Sequence, residues 1–222
     1  MRANRSNPNT DRPCAKPYWG YEDIGVFFLI LVSLTSVLRL SAHFDLLSQS
    51  NITNPAAGLQ FAVVTFLTVA LYLVLKIRHH QPVMRPLGWV WPRWQYTVAS
   101  PLVGILLATG VSLYLRIHDH STPPIPTIEL LVLGAILGPI LEESLFRGCI
   151  LPVLAQTIGN VMAMLITAFL FALLHGPSSL AQWVSFTATG VAYGSIRVAS
   201  GSTLAAALMH AAYNLTLNLL LT

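Results

Sequence analysis

Residues 130–175 read LLVLGAILGPILEESLFRGCILPVLAQTIGNVMAMLITAFLFALLH, an apolar stretch that contains two adjacent glutamates, one arginine and a final histidine. The apolar runs on either side of its middle, about 127–147 and 160–175, approach the ~20 residues that a helix needs to cross the ~30 Å hydrocarbon core of a bilayer. Gly159 and Asn160 interrupt the pattern, and these residue types favour a turn. The stretch therefore predicts a hairpin of two membrane helices with ionisable groups inside it.

The composition of the whole chain supports a membrane protein. Of the 222 residues, 55% are hydrophobic and 9% are charged, whereas soluble domains average about 25% charged residues. A soluble fold of this size could not cover its surface with so few charges, but a bilayer accepts an apolar surface. The net charge of +4 comes from Lys and Arg scattered in loops and tails. Soluble globular, disordered and nucleic-acid-binding proteins are therefore excluded.

Further apolar runs bring the total to about seven transmembrane helices, which predicts an all-α, polytopic bundle with an intramembrane polar site. Residues 1–22 are rich in Asn, Pro and basic residues, so we expect a loose polar tail. Residues 23–222 contain no linker and are expected to form a single helical membrane domain. The seven runs cover residues 24–40, 56–75, 96–117, 127–147, 160–175, 180–198 and 203–221.

Lys and Arg are distributed unequally between the two ends of the predicted helices. Nine lie on the side of the N-terminus and two on the opposite side. Cytoplasmic loops of membrane proteins carry an excess of these residues. We therefore expect an integral multi-pass protein with a cytoplasmic N-terminus, and the short chain with compact loops favours a prokaryotic cell membrane.

Ionisable side chains inside apolar helices are costly, so they are candidates for a functional site. Glu143 and Arg147 are four residues apart and can pair on one helix face, while Glu142 points about 100° away. One arginine cannot neutralise both carboxylates, so Glu142 is predicted to be the freer one, available to bind water or accept a proton. The Glu143–Arg147 pair could equally serve to hold two helices together. His210 and Asn214 also share a face and can donate to one oxygen.

Helix geometry predicts the depth of three of these groups. Glu142 and His175 are equidistant from the expected turn at 158–159, so a hairpin brings them level. His210 fits less well, because it lies closer to its own loop at 200–202, a difference of ~12 Å at 1.5 Å per residue. Tilt or a short sixth helix would have to absorb this difference.

Three short motifs follow one another on the predicted helices: Glu-Glu-x-x-x-Arg at 142–147, Phe-x-x-x-His at 171–175 and His-x-x-x-Asn at 210–214. In this order they resemble the three motifs of the CPBP family, the CAAX proteases and bacteriocin-processing enzymes. The resemblance covers about residues 127–221. It implies an intramembrane endopeptidase of the CAAX prenyl protease type.

The resemblance also implies roles for individual residues. Glu142 with His175 would activate the attacking water, and His210 with Asn214 would bind the oxyanion of the tetrahedral intermediate. Peptide hydrolysis requires such a base and such donors, and both act more strongly in a site of low dielectric constant. The remaining motif residues would support these groups without touching the substrate: Glu143, Arg147 and Phe171.

No cofactor is expected, because the chain has no His-Glu-x-x-His helix and metal ligands would have to come from three helices. The alternative is a zinc ion held by Glu142, His175 and His210, since the family has been described both as metalloproteases and as glutamate-type proteases. The expected partners are the lipid bilayer and a peptide or protein substrate at the membrane, prenylated in the CAAX case. No nucleic-acid partner is expected.

Two other classes of function stay open. The chain could be a catalytically silent family member that acts in bacteriocin immunity or as a scaffold, although its intact motifs argue against this. It could also be a small proton-coupled transporter that relays protons through Glu142, Glu143 and the two histidines. Broken helices in matching halves would favour a transporter, and the sequence shows none.

Overall fold

The computed structural model describes residues 17–43, 55–118 and 128–221, and all regular structure within them is helical. Two π-helical segments, Leu133–Leu137 and Ser144–Ile150, interrupt the α-helical course. The predicted all-α fold is confirmed for the described residues. The helices are α1 (Tyr21–His43), α2 (Pro55–His79), α3 (Trp94–His118), α4 (Ile128–Val132), α5 (Gly138–Glu143), α6 (Leu151–Leu174), α7 (Leu180–Ser200) and α8 (Thr203–Leu221).

Four stretches of the described chain are long and apolar enough to cross a membrane: Tyr21–Leu38, Gly58–His79, Trp94–His118 and Leu133–Leu174. Many of their large apolar side chains are exposed on the protein surface, as expected for side chains that face lipid. The protein is therefore a polytopic helical membrane protein. The count of seven membrane spans stays a prediction.

The predicted turn between the two helices of the hairpin lies inside α6. Gly159 has φ 79° and ψ 163°, which is far from helical geometry. Side chains strain the backbone at positive φ, so glycine suits this position. The break reverses the direction of the chain within α6. As a result, His175, just after α6, lies next to Glu142 at the end of α5.

Helices α3 and α8 cross closely at Gly104. A Cβ atom at this position would overlap the carbonyl oxygen of Met209, which is the residue before His210. A comparable close approach joins α7 to α6, where a Cβ on Gly190 would lie 2.9 Å from the Cα of Ala168. Each crossing lets a helix that carries motif residues, α8 or α6, approach a neighbour that carries none, α3 or α7.

The α3–α8 crossing gives a stability prediction. Gly104→Ala should destabilise the protein by about 1–3 kcal/mol, because the added methyl group has to displace the Met209 backbone. The matched variant is Gly110→Ala, on the same helix, where a Cβ would meet nothing within 4 Å. We expect thermal unfolding in detergent to show a lower Tm for the first variant and an unchanged or higher Tm for the second. Equal Tm values would mean that the two helices are not in close contact at Gly104.

The expected loose tail does not extend to residue 22. Trp19 is buried and donates from its indole nitrogen to the carbonyl oxygen of Cys149 at 3.2 Å. Tyr21 already begins α1, and its hydroxyl lies 3.0 Å from the Thr157 hydroxyl. The prediction is therefore wrong for residues 17–22, because burial of the indole and a carbonyl acceptor in the second π segment fix this stretch. Residues 1–16 lie outside the described chain.

The connection between α2 and α3 packs against the motif-bearing helices. The amide of Thr203 donates to the carbonyl oxygen of Gly88 at 2.8 Å, and the hydroxyl of Ser202 donates to the carbonyl of Val90. The indole of Trp89 donates to the hydroxyl of Ser144, the first residue of the second π segment, at 3.0 Å. Residues 87–90 thus tie the start of α8 to the segment that follows the two glutamates.

Candidate active site

Three elements bring the motif residues together. Glu142 ends α5 with Glu143, His175 follows α6, and His210 lies in α8. The Oε2 atom of Glu142 lies 3.7 Å from the Nε2 atom of His175 and 3.8 Å from the Nε2 atom of His210. Glu142 and His175 are therefore level, as the count along the hairpin predicts. His210 is level as well. The difference in depth of ~12 Å that counting residues predicts for it is therefore absent.

Glu143 and Arg147 form the ion pair that their spacing predicts. The Nη1 atom of Arg147 donates to Oε1 of Glu143 at 3.0 Å, and both side chains are fully buried. The same Oε1 atom lies 2.9 Å from Nδ1 of His210. Glu143 is therefore shared between an arginine and a histidine, whereas the ion-pair partners of Glu142 among the described residues are the two histidines.

The buried guanidinium of Arg147 has further partners that compensate for its removal from water. Its Nη2 atom donates to the carbonyl oxygen of Gly190 at 2.9 Å. Its Cζ atom lies 4.8 Å from the ring centroid of Phe171 and 5.2 Å from that of Tyr193. Contacts with aromatic faces stabilise a cation that has lost its hydration.

The two glutamates are followed directly by the second π segment. π-Helical turns are uncommon and are frequent at functional sites. Here the hydroxyl of Ser144 donates to the carbonyl of Ile140 at 2.6 Å and lies 3.0 Å from the hydroxyl of Tyr72. The backbone carbonyl of Arg147 accepts a hydrogen bond from Nε of Arg197 at 3.2 Å. Side chains from α2 and α7 thus hold the irregular segment in place.

The hydrogen bonds of the two imidazoles indicate which nitrogen carries the proton. Nδ1 of His175 lies 2.7 Å from the carbonyl oxygen of Phe171, which can only accept, so this nitrogen donates. Nδ1 of His210 donates in the same way to Glu143 when that carboxylate is ionised. Both Nε2 atoms are therefore turned toward Glu142, whose Oε2 atom is buried and has no hydrogen-bond partner in the described chain.

The site has an open edge and a closed interior. The side chains of Glu142 and His175 are 29% and 27% exposed. Those of Glu143, Arg147 and His210 are buried. Glu142 and His175 are therefore accessible from the protein surface, while the other three side chains are enclosed.

Asn214 is hydrogen-bonded to the backbone of the first π segment. Its Nδ2 atom donates to the carbonyl oxygen of Gly134, in the first π segment, at 2.7 Å. It does not share an acceptor with His210, which donates to Glu143. The amide nitrogen of Asn214 carries a second hydrogen, so it keeps one donor for another oxygen.

Sequence reasoning missed two aromatic residues of α7 that contact the histidines. The ring of Phe186 lies 4.5 Å from that of His175 at an interplanar angle of 31°. The ring of Tyr193 lies 4.5 Å from that of His210 at 19°. Both residues lie in an apolar run, where an aromatic residue that contacts a histidine cannot be distinguished by sequence from one that faces lipid or the core.

The described residues contain no group of three or more His, Cys, Asp or Glu side chains that could hold a metal ion. The three residues of the zinc alternative, Glu142, His175 and His210, do come together at one carboxylate oxygen. Zinc binding by these residues therefore stays a prediction.

Residues 124–216 match the family of type II CAAX prenyl endopeptidases described as Rce1-like. The match covers less than half of the chain, and it includes all three motifs. It confirms the resemblance to the CPBP and CAAX protease family for this part of the chain. No curated protein and no solved structure matches the chain.

Proposed function

We propose that this protein is an intramembrane endopeptidase of the CAAX prenyl protease type in which Glu142 and His175 activate the attacking water. The observation that carries the proposal is the convergence of two imidazole Nε2 atoms on one oxygen of Glu142, at 3.7 and 3.8 Å. The match of residues 124–216 to CAAX endopeptidases supports a membrane protease in general.

The separation of Glu142 and His175 suits a shared water molecule. At 3.7 Å, the Oε2 and Nε2 atoms are too far apart for a good direct hydrogen bond, but one water can donate to both. With Nδ1 of His175 protonated, its Nε2 atom is an acceptor, so both water hydrogens are engaged. The lone pairs of the water oxygen then remain available for the carbonyl carbon of the peptide.

The reaction needs one proton transfer in each direction. Glu142 takes a proton as the water oxygen bonds to the carbonyl carbon, and the carbonyl electron pair moves to the oxygen. When the tetrahedral intermediate collapses, the C–N bond breaks and Glu142 returns the proton to the leaving amine. The products are a carboxylic acid and an amine, and Glu142 regains its starting form.

The oxyanion needs donors, and His210 can supply one when both of its nitrogens are protonated. Nδ1 then donates to Glu143, and the hydrogen on Nε2 is directed into the gap toward Glu142. In that state the charges of the site balance, because the two glutamates are matched by Arg147 and the imidazolium. A balanced set is less costly to bury than a net charge. The second amide hydrogen of Asn214 is the other donor in this proposal.

A product assay separates this proposal from the two alternatives. Protein in liposomes is incubated with mixed membrane peptides and a farnesylated CAAX peptide, and cleavage is followed by mass spectrometry. We expect new termini with wild type and none with Glu142→Ala. A silent scaffold would give no products in either case. A transporter would give no products but would move protons across the liposome membrane, and this movement would be lost in the variant.

Metal dependence gives a second test of the proposed chemistry. If Glu142 and His175 activate water without a metal, protein treated with a strong chelator should keep its activity while its zinc content is well below one ion per chain. Metal content is measured by mass spectrometry on the same sample that is assayed. Stoichiometric zinc that is lost together with activity, and restored by zinc, would contradict the proposal.

The proposal includes an orientation with the N-terminus in the cytoplasm, supported by the unequal distribution of Lys and Arg. Single cysteines test it in a variant that lacks Cys14 and Cys149. A membrane-impermeant thiol reagent should label Ser121→Cys in intact cells and Gln81→Cys only after permeabilisation. The reverse pattern would show that the protein is inserted the other way round, with the proposed chemistry unaffected.

A further inference from the structure

Helix α7 contains none of the three motifs, yet it places one aromatic ring on each histidine of the site. Phe186 packs on His175 and Tyr193 packs on His210, each with ring centroids 4.5 Å apart. The two aromatic residues are seven positions apart, which is close to two helical turns, so they lie on the same face of α7. One face of α7 therefore contacts both imidazoles.

A single hydrogen bond does not fix the direction of an imidazole, because the ring can still rotate about that bond. His210 is held at Nδ1 by Glu143 at 2.9 Å. The nearly parallel face of Tyr193, at 19°, removes the remaining rotation. Once Nδ1 and the ring plane are fixed, the direction of Nε2 is determined, and it points to Oε2 of Glu142.

The second histidine is held in the same manner. Nδ1 of His175 donates to the carbonyl oxygen of Phe171 at 2.7 Å, which fixes one point of the ring. Phe186 lies against the ring at 31°, and the side chain of Phe171 contacts it at a centroid distance of 4.3 Å. Rotation about the hydrogen bond is therefore restricted by two aromatic rings.

The ring of Tyr193, and not its hydroxyl, makes the contacts in this arrangement. Tyr193 is fully buried, and its hydroxyl has no hydrogen-bond partner in the described chain. Its ring contacts His210 on one side and lies 5.2 Å from the guanidinium carbon of Arg147. A buried hydroxyl without a partner is unfavourable, so the position is explained by the aromatic face.

We infer that Phe186 and Tyr193 are positioning residues that set the direction in which Nε2 of His175 and His210 point. The inference rests on the proposed function and deepens it, because it assigns a role in the same site to a helix without motif residues. Neither aromatic residue touches the reacting atoms. They act through the two imidazoles.

Leucine and aromatic substitutions test the inference at both positions. Tyr193→Leu and Phe186→Leu should lower kcat by about 10- to 100-fold with little change in KM, because misdirected groups slow the chemical step more than binding. Tyr193→Phe and Phe186→Tyr keep an aromatic face and should restore most of the activity. The matched control is Trp183→Leu on the same helix, whose ring stacks on Phe169 at 5.7 Å. It should leave kcat close to that of wild type.

A spectroscopic measurement shows without a substrate whether the two aromatic rings lie against the imidazoles. In protein with isotope-labelled histidine, the ring protons of His175 and His210 should show ring-current shifts from their aromatic neighbours. The shift of His210 should be lost in Tyr193→Leu and kept in Tyr193→Phe. If the Leu variant at one of the two positions fails to fold, the variants at the other position still test the inference. Equal loss of activity in the Leu and Phe variants of Tyr193, or unchanged kcat in both Leu variants, would overturn the inference.

The failure of the proposed function has a different signature. If Glu142→Gln cleaved peptides as well as wild type, the chemistry assigned to the site would be wrong. The ring-current shifts would still show whether the aromatic rings of α7 lie against the imidazoles. Conversely, an inactive Glu142→Gln together with fully active Leu variants would contradict only the positioning role.

Discussion

Glu142→Gln is expected to fold and insert like the wild type and to lose nearly all peptidase activity. The amide has almost the size of the carboxylate but cannot accept the proton of the attacking water. General-base catalysis contributes roughly 10²- to 10⁴-fold to the rate, so a loss in this range is expected in kcat. Because Oε2 of Glu142 has no hydrogen-bond partner in the described chain, the substitution breaks no internal hydrogen bond at this atom and should leave the Tm nearly unchanged.

The control for this substitution is Glu22→Gln, which removes a carboxylate whose side chain is 92% exposed at the start of α1. Its activity should equal that of wild type. The measurement is the rate of cleavage of the peptide found in the product assay, together with thermal unfolding of all three proteins. Substantial activity in Glu142→Gln would assign the general base to another group, with His175 as the next candidate because it shares the open edge of the site.

The hairpin could be predicted from the sequence because its determinants are local. Two apolar runs, a glycine between them and nearly equal distances from that glycine to Glu142 and His175 are sufficient to place the two groups level. Only the backbone angle at Gly159 and the 3.7 Å contact had to come from the structure. The Glu143–Arg147 pair was equally accessible, since it depends on a four-residue spacing.

Other parts of the site depend on interactions that no local pattern records. The depth of His210 depends on how α7 and α8 cross their neighbours, and counting residues assumes upright helices. The hydrogen bond from Asn214 to Gly134 arises because the first π segment brings this carbonyl to α8. Tyr193 lies in an apolar helix, where an aromatic side chain gives no sign that its neighbour is a histidine.

Arg147→Met is expected to destabilise the protein by about 3–5 kcal/mol, the usual effect of leaving one partner of a buried ion pair uncompensated. Glu143 would keep its contact with His210, and the carbonyl of Gly190 would lose the hydrogen bond from Arg147. A large fall in the Tm should be measurable in detergent, and activity should fall with it because His210 shares Glu143 with the lost cation. Arg116→Met, at the last turn of α3, is the matched control for loss of an arginine outside the site, and a smaller fall in Tm is expected there.

The double variant Glu143→Leu with Arg147→Met separates the structural role of the pair from its role in catalysis. Apolar replacement of a whole buried ion pair is often neutral or stabilising, so much of the lost stability should return. Activity should not return, because Nδ1 of His210 would have no carboxylate to hold it and its Nε2 atom would no longer be directed at Glu142. If the double variant were both stable and active, the pair would serve only to join α5, the second π segment and α7, and the site would consist of Glu142 and His175 with donors other than His210.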